Sequence, residues 1–206
     1  MTKLIGLTAL ALALALAAIT PLAQAQDTGN WIVRGRALYL DSANKDSTGL
    51  GLSVNNKTFP EIDFTYFYSP NVAVELVLTY PQKHDIRSNG NNIGTLKHLP
   101  PTLSLQYHFT DLGSFRPYVG LGLNYTRFSS VSFAPAVVAA LKPSLEKDSF
   151  GMSLQVGVDV PMGGGWLLNF DVKKVRLETD VFSGTTKAGT FKVDPTLISL
   201  GVGKRF

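Results

Sequence analysis

The chain has 206 residues, 19 basic and 15 acidic side chains, a formal net charge of +4 and no cysteine. Without cysteine there are no disulfides, no thiolate catalysis and no Cys-type zinc sites. The small excess of positive charge is scattered, so it makes no electrostatic footprint for nucleic acid.

In chain order, Lys3 precedes a weakly polar to apolar run from Leu4 to Ile19, and Ala23-Gln24-Ala25 gives a small-x-small site. The run falls short of the roughly 20 residues a membrane-spanning helix needs. This pattern predicts an export signal over 1–25, cleaved after Ala25, and a single mature domain over 26–206.

Beyond Gln26 apolar residues recur at every second position, the period of a strand with two unlike faces. Trp31, Val33, Gly35, Ala37 and Tyr39 alternate with Ile32, Arg34, Arg36, Leu38 and Leu40. Ile62 to Tyr68 and Val72 to Tyr80 repeat the pattern, with Glu61, Asp63, Thr65 and Glu75 on the opposite face. So do Pro101 to Phe109, Val119 to Tyr125, Phe150 to Val160, Trp166 to Val172 and Ile198 to Phe206. Short links fall at 69–71, 110–115 and 161–165, and long ones at about 41–58, 81–98, 129–148 and 176–193. Residues 134–141 have the makings of a helical turn or two. The expectation is an all-β fold: an eight-stranded antiparallel transmembrane β-barrel with short periplasmic turns and long external loops.

Alternation alone would also suit a soluble barrel with an apolar interior. The aromatics decide the orientation. Trp31, Tyr68, Tyr107, Phe109, Trp166 and Phe206 mark one end of the apolar face, and Tyr39, Tyr80, Tyr125 and Phe150 mark the other. Two such girdles bracket a lipid-facing band, while Gly, Ser and Thr on the other face fit a crowded small lumen.

Three ordered motifs carry a family resemblance. Leu99-Pro100-Pro101-Thr102-Leu103 running to Gln106-Tyr107-His108-Phe109 resembles the fourth strand of the OmpW family. Arg116-Pro117-Tyr118-Val119-Gly120 with Leu123-Asn124-Tyr125-Thr126 is similar to its fifth. Asp194-Pro195, then Gly201-Val202-Gly203 and Arg205-Phe206, are similar to its last. Lys204 departs from the pattern, standing where an aromatic is common. The resemblance implies a narrow, partly hydrophobic lumen and passage of small hydrophobic molecules across the outer membrane of a Gram-negative bacterium. Phe206 would be the handle for the barrel-assembly machinery.

The lumen can be read from the residues themselves. Arg34, Arg36, His108, Asp159 and Arg205 project inward near the periplasmic end, with Glu75 somewhat above. Buried charges demand ion pairs or water, so these residues make either a polar floor or ordinary salt-bridged filling. Leu38 and Leu40 point inward at the external end, where a water-filled pore would be polar. They form an apolar vestibule or pack against an external loop. Pro81, Pro100 and Pro101 lack amide donors at the tops of the third and fourth strands. They make a weakened lateral seam or simply end the strands.

The partners expected are outer-membrane lipid, small hydrophobic ligands and the assembly machinery, with no nucleic acid, cofactor or metal. Asp41, Asn44 and Asp46 lack the glycine and glutamate a calcium loop requires. His84, His98 and His108 are the only histidines, and no motif ties them to a serine and a third orienting group. The chain therefore reads as a non-enzyme. The alternative to a channel is a structural or adhesive barrel with an occluded lumen. The sequence carries no signal for the oligomeric state or the ligand.

Overall fold

The computed structural model describes residues 29–206, so the expected signal segment 1–25 lies outside the described residues. The elements are β1 (Trp31–Asp41), β2 (Lys45–Asp46), β3 (Leu52–Val54), β4 (Lys57–Phe67), β5 (Val72–Leu78), β6 (Gln82–Ser88), β7 (Asn91–Leu99) and β8 (Thr102–His108). They continue with β9 (Arg116–Phe133), α1 (Pro135–Leu141), β10 (Pro143–Leu145), β11 (Asp148–Gly163), β12 (Trp166–Val175), β13 (Glu178–Ser183), β14 (Thr186–Lys192) and β15 (Thr196–Arg205).

Eight strands close a ring in the order β1-β4-β5-β8-β9-β11-β12-β15, and β15 pairs back onto β1 from Ile32↔Arg205 to Asp41↔Thr196. All neighbours run antiparallel. Two further bonds finish the closure at the lower rim: Trp31 N donates to Phe206 O at 3.0 Å and Phe206 N to Trp31 O at 2.9 Å. A closed ladder leaves no edge to satisfy, which is the condition for strands to stand in hydrocarbon.

The two faces separate as the alternation requires. Leu103, Leu121, Leu123, Met152, Leu154 and Val156 are each more than half exposed, while Thr65, Ser104, Ser153 and Gln155 are buried inside. In water so continuous an apolar surface would be an aggregation hazard; in lipid it is solvated. Trp31 packs on Tyr66 at 4.9 Å and Tyr107 on Phe109 at 5.2 Å in the lower girdle, and Tyr125 on Phe150 at 4.9 Å in the upper. Lys204 sets its ammonium 5.1 Å from the centre of the Trp166 ring, so a cation laid over an aromatic occupies the departing position. Glycine clears the interior where side chains cross. A Cβ on Gly122 would stand 2.5 Å from the hydroxyls of both Ser104 and Ser153, and one on Gly157 would strike the Tyr118 ring.

The long external connections are themselves folded. A strand needs about 9–11 residues to cross a bilayer, yet β9 runs for 18 residues and β11 for 16. The protruding half of β9 pairs with β7 from Gly94↔Phe133 to Leu99↔Arg127, and β6 and β3 extend that sheet outward. A second sheet runs β10-β13-β14-β2. Between them lies an external core of Leu52, Val54, Ile86, Leu96, Phe128, Leu177, Val181, Phe191 and Val193. The helical turns expected at 134–141 form α1. Proline stands in its first turn, and Lys142 closes it in the left-handed region at φ 44°, its N–H donating to Val138 O.

Candidate functional site

Midway down the lumen a network of charges spans the barrel from wall to wall. Arg34 on β1 donates from Nη1 to Asp63 Oδ1 at 2.8 Å and to Thr65 Oγ1 at 2.7 Å. Its Nε and Nη2 grip both oxygens of Asp159 on β11, at 3.2 and 2.7 Å. One turn of the pleat higher, Arg36 donates to Glu61 at 2.7 Å and to Asn169 at 3.2 Å, and pairs with Glu75 at 3.4 Å. It also faces Asp63 Oδ2 at 3.1 Å, close enough for an ion pair but not aligned for a hydrogen bond. Lys173 on β12 reaches Glu75 at 3.3 Å.

Neutral groups fill the remaining sites. Gln155 donates to Glu75 at 3.0 Å and to Asp171 at 2.7 Å, and the Tyr118 hydroxyl donates to Asp171 at 2.9 Å. Asn169 donates to Asp159 at 2.8 Å and to the Tyr118 oxygen at 3.0 Å. The side chains of Arg34, Arg36, Asp63 and Glu75 have no exposure at all. Bidentate pairing with neutral donors on the neighbouring oxygens offsets the cost of desolvating charge, and Asp63 Oδ2 is left with the Arg36 ion pair alone.

Of the anticipated floor residues, Arg34, Arg36, Glu75 and Asp159 meet in this network. His108 and Arg205 lie below it. His108 stacks on Tyr118 and meets Phe67 at a tilt of 56°, 4.8 Å from each ring. Arg205 covers Phe67 at 4.4 Å and donates to Gly29 O at 2.7 Å. Glu61, Asp63, Asp171 and Lys173 also face inward by alternation, and only the register across the lumen makes them the partners.

Directly above the charges, Leu38, Leu40 and Phe59 are buried together with Leu197 against them. They enclose a cavity of about 30 Å³ whose floor is Glu61 and Lys173 and whose walls include Val77, Val175, Leu177, His98 and Pro100. That is room for a water or two, so a larger guest must displace side chains. Leu177 belongs to this wall and also to the external core, where a second cavity of about 40 Å³ is lined only by apolar residues between Leu50 and Phe191. The apolar lining thus runs from the external core to the leucines.

The barrel wall is interrupted beside the lower cavity. The β5–β8 ladder ends at Val77↔Thr102 and the β4–β5 ladder at Ile62↔Leu78, while the next cross-strand pair is Gln82↔His98. Across this break Thr79 Oγ1 donates to Pro60 O at 3.2 Å. The β9 flank is stitched instead. Asn124 Nδ2 donates to Pro101 O at 3.2 Å and to Thr102 Oγ1 at 2.8 Å, and Tyr125 N donates to Pro101 O at 3.2 Å. Pro100 stands in the cavity wall, Pro101 on the stitched flank, and Pro81 outside at the start of β6.

Residues 27–206 match the pattern of the OmpW family. The chain is 39% identical over 163 residues to outer membrane protein W of Escherichia coli, covering 76% of each. It is 29% identical over 178 residues to the dibenzothiophene metabolism operon protein PahQ of Pseudomonas aeruginosa, covering 82% of this chain and 80% of that one. Among solved structures it resembles the outer membrane protein OprG from Pseudomonas aeruginosa. There the TM-score is 0.75 at 28% identity, covering 86% of this chain and 96% of that one.

Proposed function

This chain belongs to the OmpW family and resides in the outer membrane of a Gram-negative bacterium, and we propose that its barrel admits small hydrophobic molecules from outside and releases them sideways into the bilayer. The observation that carries this reading is the vertical order of the lumen: an apolar lining down to Leu38 and Leu40, with Glu61 and Lys173 immediately beneath. An uncharged apolar solute gains from the first and is refused by the second, because crossing the floor means parting buried ion pairs. The break above Val77 and Thr102 offers an exit in which no ladder bond has to be broken.

The relative named for a dibenzothiophene metabolism operon supports an uncharged, hydrophobic class of solute. The same reading includes cleavage of the signal after Ala25, recognition of Phe206 by the assembly machinery, and passage without catalysis. A second reading, a structural or adhesive barrel, is favoured by the small size of the cavity and the filled lumen.

Uptake of p-xylene by a deletion strain carrying wild-type or variant protein tests the choice. Wild type should raise uptake several-fold. Leu40→Asn should cut the gain at least threefold at equal amounts of folded barrel, and Pro100→Val with Pro101→Val should cut it by sealing the seam. No gain with wild type would overturn the reading in favour of a structural barrel. A full gain in the proline variant would remove the lateral exit alone.

A further inference from the structure

Three buried polar atoms beside the vestibule have no hydrogen-bond partner among the described residues: Gln82 Oε1, His84 Nε2 and His98 Nε2. They lie together. Gln82 is the cross-strand partner of His98, and the two imidazoles stack at 4.7 Å with planes 12° apart. All three residues are almost wholly buried, at 0%, 1% and 3% exposure. His98 forms part of the vestibule wall, and its other side meets the edge of Phe128 in the external core at 6.4 Å. His98 therefore stands where the two apolar compartments join, and Gln82 and His84 reach that place through it.

Chemistry fixes the role of two of the three atoms. Gln82 Nε2 donates to Tyr80 O at 3.0 Å, which identifies the free atom of that amide as its oxygen, an acceptor. His84 Nδ1 lies 3.0 Å from Asn55 O, and a carbonyl can only accept, so Nδ1 carries the proton. Burial, with Lys57 nearby, lowers the His84 pKa from its ordinary value, against the Asn55 hydrogen bond and Asp85, which raise it, so the neutral ring is favoured. Its Nε2 is consequently a bare lone pair. His98 is neutral as well, held down to about 3 by burial, His84 and Lys57.

We propose that Gln82, His84 and His98 form a recognition station for the hydrogen-bond donor of an otherwise apolar solute, an uncharged hydroxyl or N–H compound such as a phenol or alcohol. The proposal rests on the hydrophobic-passage reading and narrows its ligand class. A hydrocarbon leaves the acceptors unserved. A carboxylate presents only acceptors and brings a charge into an apolar wall. A hydroxyl supplies one donor, which serves one of the two fixed acceptors, and the neutral His98 ring presents its own Nε2 alongside them.

Three probes of nearly equal shape separate the cases: p-cresol, p-xylene and p-toluate. Binding is measured on the full mature barrel in nanodiscs and corrected for partition into nanodiscs without protein. Wild type should bind p-cresol about tenfold or more tighter than p-xylene and p-toluate weakest, with p-cresol moving the ¹⁵N resonances of His84 Nε2 or His98 Nε2. In His98→Phe or Gln82→Leu the cresol-to-xylene ratio should fall toward one. The imidazole shifts are read on wild type, so they hold even if a variant folds poorly. Equal binding of cresol and xylene, as when water alone serves these atoms, would overturn the station while leaving the apolar path intact. Tighter binding of p-toluate would overturn it too. If no probe binds, both readings fall together.

Discussion

Replacing Arg34 by methionine keeps the stem of the side chain and removes its charge, which makes it a direct test of whether the floor is dry. Four hydrogen bonds go, two to Asp159 and one each to Asp63 and Thr65. Two carboxylates, at 0% and 3% side-chain exposure, lose their main cation. Breaking a buried pair from one side costs about 3–5 kcal/mol, or roughly 10²–10⁴-fold in the unfolding equilibrium. With a slope of about 2 kcal/mol per molar urea, the midpoint in lipid or detergent should fall by about 1.5–2.5 M. Asp159→Leu alone should cost a similar amount. The double variant should cost clearly less than the sum, because each single change strands the other's charge. If Arg34→Met costs under 1 kcal/mol, the range of a solvated surface pair, water already fills the network and the floor is no barrier.

Two further predictions rest on other parts of the molecule. Leu154→Arg puts a charge on the outward row at mid-height, where Leu154 is 65% exposed to lipid. It should cost about 2–4 kcal/mol in vesicle-folding titrations, and a cost near zero would mean that this face meets water. The pH response of the external hairpin follows from His98, whose pKa is lowered from 6.5 to about 3, chiefly by burial. The opened hairpin binds a proton that the closed one refuses. Stability is therefore complete above about pH 6.5 and is lost progressively as pH falls toward 3. Amide exchange in β6 and β7, corrected for intrinsic rates, should accelerate between pH 7 and 5 relative to β11, and His98→Phe should flatten the trend. Equal protection at both pH values would refute it.

The barrel wall was legible in the sequence because its two faces meet unlike solvents. Leu121 and Leu123 against Gly120 and Gly122 give the two faces, and the aromatic girdles at the strand ends assign the apolar one to lipid. The inward set of charges was legible for the same reason. Their partners were not. Arg34 binds Asp63 across 29 positions of sequence and Asp159 across 125, and only the stagger of the closed sheet brings the second within reach. The fold of the external connections was obscured by the chemistry of their inner row. Gln82, His84 and Ile86 alternate with Lys83, Asp85 and Arg87 at strand period, yet the inner row opens with two polar residues, so the segment has the composition of a loop. Leu52, Phe128, Val181 and Phe191 come from four separate stretches and make a core only once assembled.

On the proposed reading, the charges beneath Leu38 and Leu40 and the break beside their cavity would together set the direction in which an apolar solute travels. A molecule resting against Leu40 that moves down must separate Arg36 from Glu61 and Lys173 from Glu75, contacts of 2.7 and 3.3 Å between groups with almost no exposure. Moving sideways, it passes Pro100 through a gap that opens where the Val77↔Thr102 pair ends. If parting the floor costs even about 3 kcal/mol more than widening the gap, lateral exit is favoured by roughly 10². On that proposal such a solute would reach the hydrocarbon without meeting the periplasmic half of the barrel. A guest larger than the cavity of about 30 Å³ would, on the same proposal, displace Leu38, Leu40 and Phe59, apolar side chains it replaces like for like. The ion pairs below cannot be exchanged on those terms.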